Sequence, residues 1–580
     1  MSERGSDTQP LLGKAPAHWP RMLWLQAVGR VLARQGMVEG FGAPGYGLTL
    51  KHPAVEGFAA APRDFRPVDI AIGRAVLGGR FVYAGAMLDA PRPHDPWSRP
   101  SPSRAFAVEL HRFAWLPHLV AVGETGVREA LRLTLDWREV FGKWSPFAWG
   151  RETLPRRVFN LACAARRLAA EEGEEQGAVA DLLARQARHL LRLPDDPAWA
   201  AEHCAASAVA GASLAGKAGQ KLLARALPRL KRALGRTVAA DGSHASRSPE
   251  AGMELLFDLL TLDDALLQRG EAAPEELTRA IDRLTQALRL LTLGDGRIAC
   301  FQGGESSTPA RVAAARAHDD TEGVAPKALA DGRYQKLQGY LVQVIADAGQ
   351  PARGPYAVTA CAQPLAIEVV CGKDRLITNA GWSEREPDRQ AFRLTTAGST
   401  LTLGETSVLE PLQGRLARIL GPRLEGPHFR VEARRHDADD AQWLELAHDG
   451  WAPRFGLAHE RRLFVDVRAD ELRAEDRLVP AEGAHPRVLA APYAVRFHLH
   501  PSVQVSQARD KKSVLLRGPS GRGWWFRSDA AEVVVEPSVC FENGLSRKTA
   551  QIVLKGVART DGVTRIRWKL APAGAPGEGV

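Results

Sequence analysis

The sequence contains few cysteines, and none of them form a recognisable pattern. The six lie at positions 163, 204, 300, 361, 371 and 540, and no two form a CxxC pair. Such sparse spacing argues against a disulfide scaffold and against a zinc ribbon. We therefore expect buried free thiols rather than a covalent or metal-linked framework.

Long apolar runs are also missing. No stretch of about 18 apolar residues occurs, so no membrane-spanning helix is expected. The first twenty residues are polar and lack the apolar core of a signal peptide, which predicts a cytoplasmic location. Residues 18–35 are amphipathic, with arginines on the polar side. This segment is compatible with a membrane surface, but we favour a helix that packs on its own domain.

The charge of the chain gives the first indication of a possible partner. The chain carries 77 Lys and Arg against 67 Asp and Glu, a formal net charge of +10. Arginine pairs bidentately with carboxylate, sulfate and phosphate, so an anionic partner is one explanation. A genome-wide preference for arginine over lysine is the other.

The first half of the chain has helical periodicity. Apolar residues recur at three- and four-residue steps, and Gly, Pro, Asp or Ser interrupt the pattern. The predicted helices are 104–116, 126–141, 152–171, 177–192, 198–214, 217–239, 249–269 and 274–291. Short connections between such helices produce hairpins that bury their apolar faces on one another. The pattern predicts a bundle or a curved ring of helical hairpins.

After about residue 294 the pattern changes to alternation. Residues 365–381 and 461–479 are predicted as β-hairpins, and further short alternating segments follow up to residue 571. Many short strands with turns between them indicate antiparallel sheets stacked as a sandwich. The predicted organisation is a lead-in over 1–102, a helical domain over 103–309, a charged linker over 310–335 and a β-sandwich over 336–580.

Local motifs sharpen this picture. FGKWSPFAWG at 141–150, DGSHASRSPE at 241–250, DGRIACFQGG at 295–304 and AHDGWAPRFGLAHERRL at 447–463 occur in this order. In these motifs the chain resembles the heparinase II/III-like proteins. The resemblance implies an N-terminal (α/α) toroid of helical hairpins followed by a C-terminal antiparallel β-sandwich. It also implies cleavage of uronic-acid-containing polysaccharides by β-elimination, and an association with the periplasm or cell envelope.

Elimination needs a base for the C5 proton, an acid for the leaving oxygen and a group that neutralises the substrate carboxylate. The resemblance implies a tyrosine and a histidine where this chain has Ala251 and Gly252, and another histidine where it has Gly398. No tyrosine lies between positions 84 and 333, so the helical half offers no phenol.

The remaining catalytic candidates are His203, His244, Arg247 and Tyr340. His244 is a candidate base near neutral pH, and Arg247 a candidate partner for a uronate carboxylate. A structural alternative stands beside this hypothesis: Ser248 caps a helix that begins at Pro249. His203 is equally well explained as a buried packing residue.

Binding and metal candidates complete the set. Trp149, Asn160 and Arg454 are predicted substrate-binding residues. Glu405 and His448 occupy positions of expected metal ligands, but the first expected ligand position is Gly398, so a zinc or calcium site lacks a third side chain. No cofactor is certain from the sequence, and a divalent metal, zinc or calcium, stays an open alternative.

Two functions follow from these patterns. The first is a heparinase-type lyase that acts on an anionic polysaccharide or oligosaccharide. The second is a catalytically degenerate glycan-binding or cell-envelope-associated protein of the same fold. A nucleic-acid partner is not expected, because no helix combines a basic face with interleaved aromatics. The glycan and the oligomeric state stay open.

Overall fold

The computed structural model describes residues 21–91, 95–170, 173–194, 196–319, 324–382, 390–484 and 488–574. The polar segment 1–20, on which the predicted location rests, lies outside these residues. The α-helices are α1 (Arg21–Gly42), α2 (Ile70–Leu77), α3 (Arg104–His111), α4 (Leu116–Val120), α5 (Glu124–Phe141), α6 (Leu154–Leu168), α7 (Glu174–Leu190), α8 (Ala200–Ser213), α9 (Gly216–Thr237), α10 (Pro249–Gln268), α11 (Glu275–Leu291), α12 (Pro309–Arg316), α13 (Gly414–Leu420) and α14 (Ala452–Phe455). Short 3-10 helices are Tyr46–Leu50, Pro96–Ser98, Gly354–Val358, Gln390–Arg393 and Thr395–Ala397.

The helical half forms as its periodicity predicts, with ends that shift by a few residues. The first predicted helix is divided into α3 and α4, since Phe113 between them adopts a positive φ of 58°. The hydroxyl of Ser248 accepts a hydrogen bond from the backbone N–H of Ala251 at 3.3 Å, and Pro249 is the first residue of α10. The predicted cap of this helix is therefore confirmed.

The predicted linker over 310–335 needs correction. Most of its first part is α12, whose Val312 and Ala315 are buried in the helical core. The first strand then begins at Ala328, inside the predicted linker. The helix was not predicted because the segment is charged and rich in alanine, and only a narrow apolar side of α12 is buried.

The strands are β1 (Arg80–Tyr83), β2 (Ala86–Asp89), β3 (Ala328–Leu329), β4 (Tyr334–Gln338), β5 (Val342–Asp347), β6 (Ile367–Cys371), β7 (Asp374–Thr378), β8 (Leu401–Leu403), β9 (Glu410–Pro411), β10 (Leu424–Glu425), β11 (Val431–Asp437), β12 (Ala441–His448), β13 (Leu457–Asp466), β14 (Glu471–Pro480), β15 (Ala490–Leu499), β16 (Gln504–Gln507), β17 (Ser513–Arg517), β18 (Gly523–Ser528), β19 (Glu532–Glu542), β20 (Leu545–Arg559) and β21 (Thr564–Pro572). Both predicted hairpins are present, as β6–β7 and β13–β14.

The C-terminal half is an antiparallel sandwich of two sheets. One sheet has the order β11-β12-β13-β14-β21-β18-β17-β16, and the other has the order β19-β20-β15-β7-β6-β5-β4-β3, with β8 also paired to β15. Alternating apolar side chains of both sheets share one large core. The outer face of the first sheet consequently faces solvent.

The two halves are joined by a shared apolar seam. Leu290 and Leu291 of α11 pack with Phe301, Tyr334 and Ile345 in a single buried cluster. The seam places the loop between α9 and α10 directly against the start of the sandwich.

The amphipathic N-terminal segment forms α1, which packs on the sandwich half through Ala27 and touches the toroid through Phe41, whose ring centroid lies 4.8 Å from that of His189 in α7. Ala27 of α1 is buried in a small cluster with Leu416 and Leu420 of α13. In the described part of the chain, no helix combines the length and apolarity needed to cross a membrane. All six cysteines are free and most are buried, as expected.

Candidate functional site

The loop 241–248 joins α9 to α10 and holds His244 inside the protein. The backbone N–H of Ser246 donates to Nδ1 of His244 at 3.1 Å, and the Ser246 hydroxyl lies 2.7 Å from the same nitrogen. Because Nδ1 accepts a hydrogen bond, the neutral ring carries its proton on Nε2. Nε2 faces Glu202 of α8, with its Oε1 at 3.5 Å.

A phenol from the sandwich half completes this group. The ring of Tyr356 lies edge-on to the ring of His244, with 6.0 Å between centroids. Its hydroxyl donates to the carbonyl of Pro197 at 3.0 Å. Burial raises the pKa of the Tyr356 phenol, although the contact with Thr237 opposes the rise. The phenol is therefore a proton donor at neutral pH.

Glu202 brings a negative charge into the same group. Burial alone would raise the pKa of the Glu202 carboxyl, but the interactions with His244, a backbone hydrogen bond and the charge of His203 together lower it. Oε2 of Glu202 and Nε2 of His244 are buried and lack a hydrogen-bond partner among the described residues. The group thus presents an ionised carboxylate and an N–H donor side by side.

Arg247 fastens this loop to the sandwich. Its Nε donates to the carbonyl of Gly332 at 3.0 Å, Nη1 donates to the carbonyl of Gln350 at 2.6 Å, and Nη2 pairs with Asp347. The guanidinium also lies 5.1 Å from the centroid of the Tyr334 ring. Every nitrogen of the guanidinium contacts the protein, so the structure gives Arg247 an interdomain role in place of the predicted grip on a uronate.

The space beneath the loop is small. A cavity of about 20 Å³ lies between the loop, α10, α11 and Tyr334, and its wall includes His244, Arg247 and Gly252. A volume of this order holds about one water molecule. An oligosaccharide does not fit in this cavity.

Tyr340 does not join this site. It lies in the turn between β4 and β5 and is 83% exposed. Tyr334, whose hydroxyl donates to the carbonyl of Arg247 at 2.6 Å, stands at the opposite end of β4. Six residues of strand span about 20 Å. Tyr340, predicted as a catalytic residue together with His244, therefore lies away from it, and the phenol beside His244 is Tyr356.

Two predicted substrate-binding residues belong to the helical core. Trp149 is buried, and its Nε1 donates to the carbonyl of Phe141 at 2.8 Å. Asn160 is buried as well, and its Nδ2 lies 3.0 Å from the carbonyl oxygen of Arg112 and 3.2 Å from that of Phe113. Neither side chain faces a groove, so both predictions are corrected: the aromatic ring and the amide stabilise the toroid.

Two other candidates remain on or near the surface. His203 is half-buried on α8 beside Glu202, and its charge contributes to the lowered pKa of that carboxyl. Arg454 is exposed at the end of α14, in the sandwich half. The role of each in substrate binding or catalysis stays a prediction.

The predicted metal site is not assembled. His448 is buried, its Nδ1 accepts from the backbone N–H of Gly450 at 3.1 Å, and its ring lies edge-on to that of His459. Glu405 is exposed in a turn with φ of 53°. Across the described residues, no group of three or more His, Cys, Asp or Glu side chains is arranged to hold a metal ion. A zinc or calcium site at Glu405 and His448 therefore lacks its remaining ligands.

Gln363 occupies the space that a side chain at position 398 would need. A Cβ atom there would lie 2.9 Å from Cβ and Cγ of Gln363. The Gln363 amide is itself fixed, since its Nε2 donates to the carbonyl of Phe392 at 3.1 Å. A histidine at position 398 would need Gln363 to move.

Sequence reasoning missed Glu202 and Tyr356. Glu202 had a weak signal, because it directly precedes His203 in a helix of small residues. Tyr356 had none, because only the packing of the two halves brings it to His244.

Comparison with known proteins agrees with this architecture. The sequence model described as "Heparinase II/III-like, C-terminal" matches residues 321–569. FtsZ-localized protein C of Caulobacter vibrioides is 51% identical over 575 residues, which cover 97% of this chain and 99% of that protein. The chain belongs to the heparinase II/III-like family.

Solved structures of heparinases share the fold. Heparinase III superposes with a TM-score of 0.68 and 12% identity, over 96% of this chain and 93% of that one. Heparan sulfate lyase HepC from Pedobacter heparinus superposes with a TM-score of 0.55 and 16% identity, over 91% of this chain and 87% of that one. The predicted family and the predicted toroid-plus-sandwich fold are confirmed, and the chain is a polysaccharide lyase-like protein.

Proposed function

We propose that this heparinase II/III-like protein binds an acidic saccharide without carrying out heparinase-type elimination. The observation that carries the proposal is the state of the group around His244. Arg247, the candidate that would neutralise a uronate carboxylate, is held by Gly332, Gln350 and Asp347. In its place the site offers the ionised Glu202, which repels a second carboxylate.

The orientation of His244 supports the same conclusion. A base must present a lone pair to the C5 proton. The lone pair of the neutral ring is on Nδ1 and accepts from the backbone of Ser246, whereas the nitrogen that faces Glu202 carries the proton. In this arrangement His244 presents an N–H, and not a lone pair, on the side of Glu202.

The losses at the remaining positions point the same way. Ala251 and Gly252 replace the tyrosine and histidine implied by the family, and Gln363 occupies the space beside Gly398. Tyr356 is the one feature that favours the alternative function, a lyase for uronic-acid-containing polysaccharides, because a protonated phenol can serve as the acid for a leaving oxygen.

The relative of 51% identity adds a cellular setting. The name of that relative describes a protein localised with FtsZ. We extend that location to this chain as part of the proposal, and with it a role as a binding protein at the site where FtsZ assembles.

An elimination assay tests the proposal. The full chain is incubated with heparan sulfate, chondroitin, alginate and polygalacturonate, and ultraviolet absorbance is followed, because elimination creates a conjugated 4,5-unsaturated uronate. We expect flat traces for all four and saturable binding of at least one in isothermal titration calorimetry. The HepC lyase supplies the positive control.

A rising trace that is lost in both Tyr356→Phe and His244→Ala would establish the lyase alternative. Flat traces without binding of any of the four polysaccharides would remove the saccharide from the proposal.

A further inference from the structure

A groove crosses the outer face of the sheet that begins with β11, on the side that faces away from the other sheet. It has a volume of about 640 Å³ and runs over five neighbouring strands, β12, β13, β14, β21 and β18. The groove is separate from the group around His244. The aromatic and cationic side chains that line it include Trp443, Phe464, Arg473, Lys569 and Arg527.

One row of cross-strand neighbours runs along the groove. Trp443 pairs with Phe464, Phe464 with Arg473, and Arg473 with Lys569, which in turn pairs with Arg527. Because side chains of directly paired residues project from the same face of a sheet, these five line up across it. The row is aromatic at the β12 end and cationic at the β18 end.

The aromatic end is a stacking platform. Trp443 is 42% exposed, and its ring centroid lies 4.9 Å from that of Phe464. The guanidinium of Arg473 lies 5.5 Å from the Phe464 centroid. Exposed aromatic rings beside an arginine suit a ligand that combines an apolar ring face with a negative charge.

The adjacent row of paired residues contributes no net charge to the groove. Glu445 faces Arg462, which faces Glu475, which faces Arg567, so the signs alternate. The lining as a whole has five cationic and three acidic side chains, an excess of two positive charges. Two carboxylates beside the groove offset that excess: Glu471 pairs with Arg473 and Lys569, and Asp466 lies 3.7 Å from Arg473. The cation at the β18 end is Arg527, whose guanidinium lies 5.5 Å from the centroid of the Trp525 ring.

We propose that this groove is the binding site for an acidic oligosaccharide. A sugar ring stacks on Trp443 and Phe464, and a carboxylate or sulfate further along the chain pairs with the cations of the β21–β18 end. The inference rests on the proposed function, since it specifies where a binding protein of this family holds its ligand. The five strands span about 19 Å at the usual strand spacing, which suits a short oligosaccharide.

The direction of the groove favours a saccharide over an acidic peptide. The groove runs across the strands, and the backbone N–H and C=O groups of these five strands are used in pairing with their neighbours. An extended peptide gains affinity from backbone hydrogen bonds at a sheet edge. A ligand in this groove is recognised by side chains alone, which a stacked sugar ring with anionic substituents satisfies.

Calorimetry on the full chain tests this site with a heparan sulfate tetrasaccharide as the acidic probe and cellotetraose as the neutral one. We expect Trp443→Ala and Arg527→Ala each to weaken binding of the acidic probe by about tenfold. Arg565→Ala is the matched control, because Arg565 is exposed on β21 two residues before Arg567 but does not line the groove. Its affinity should stay within about twofold of the parent. Cellotetraose should bind more weakly than the acidic probe.

The outcomes separate the two proposals. If the parent chain binds the acidic probe but Trp443→Ala and Arg527→Ala bind it equally well, this site is overturned and the proposed function stands. If the parent binds neither probe, this site is overturned, whereas the proposed function fails only if none of the four polysaccharides above binds. If a poly-glutamate peptide binds and its affinity depends on Trp443 and Arg527 while the tetrasaccharide does not bind, the groove is a peptide surface and the inference is overturned.

Discussion

At the scale of single residues, the buried charge of Asp347 is satisfied by several partners. Asp347 is fully buried and pairs with Arg247, while Gln302 donates to its other oxygen at 2.8 Å and the backbone of Gly349 donates at 3.0 Å. A buried charge that loses its counterion is costly because no water replaces it. The ion pair between Arg247 and Asp347 is therefore a structural tie between the two halves.

Removing one member of this pair should destabilise the fold more than removing both. We expect Arg247→Ala to lower the free energy of unfolding by roughly 3–5 kcal/mol, since Asp347 keeps its charge without a partner. Arg247→Ala combined with Asp347→Asn should recover part of that loss. Urea denaturation followed by circular dichroism measures both. If the double variant is destabilised by the sum of the two single changes, the two residues are not coupled.

At the scale of elements, the toroid depends on close contact between α8 and α9. A Cβ added at Gly211 of α8 would lie 3.0 Å from Cβ of Leu222 and 3.0 Å from the backbone nitrogen of Leu223. Gly235 near the end of α9 has no such neighbour within 4 Å. The two glycines have the same helix propensity but different surroundings, and they form a natural matched pair.

Alanine at these two positions should have opposite effects. Gly235→Ala should raise the free energy of unfolding by about 0.5–1 kcal/mol, because alanine loses less backbone entropy in a helix. Gly211→Ala gains the same term, but α9 must shift to make room, and we expect a net loss of about 1 kcal/mol. Thermal melting of both variants provides the comparison. Equal shifts in the same direction would show that the helices adjust freely.

At the scale of the whole molecule, buried histidines in both halves make stability depend on pH. The pKa values of His111 and His189 in the toroid, and of His498 and His500 in the sandwich, are each lowered to about 4, chiefly by burial. In the unfolded chain these rings titrate near 6.5. Between those values the unfolded state binds more protons than the folded state, so stability falls as the pH falls.

Acidification from pH 7 to pH 4.5 should therefore lower the free energy of unfolding, by roughly 1–3 kcal/mol for each of these histidines. His498→Gln removes one titrating ring while retaining a side chain that can bond to Ser538 or Thr396. The variant should show a shallower decline with pH than the parent in urea denaturation at several pH values. Parallel curves would mean that His498 is not a source of the dependence.

Local and non-local information explain what the sequence could predict. Periodicity located the helices, the alternation located the β6–β7 and β13–β14 hairpins, and Ser248 followed by Pro249 located the start of α10, since each is decided by neighbours in sequence. The surroundings of Arg247 and Tyr356 are decided by residues about a hundred positions away. Trp149 and Asn160 looked suited to a ligand, but only packing shows that their polar atoms bond to main-chain carbonyls of the toroid.

The loop between α9 and α10 has two separable roles: it holds the group around His244, and it joins the toroid to the sandwich. Selection on the first role can be lost while selection on the second remains. His244 matters to the first role only if the group around it acts on a ligand, whereas Arg247 ties the toroid to the sandwich and Ser248 caps α10 whatever that group does. A segment with the sequence of a catalytic loop can therefore be retained because it holds two domains together, and not because it takes part in a reaction.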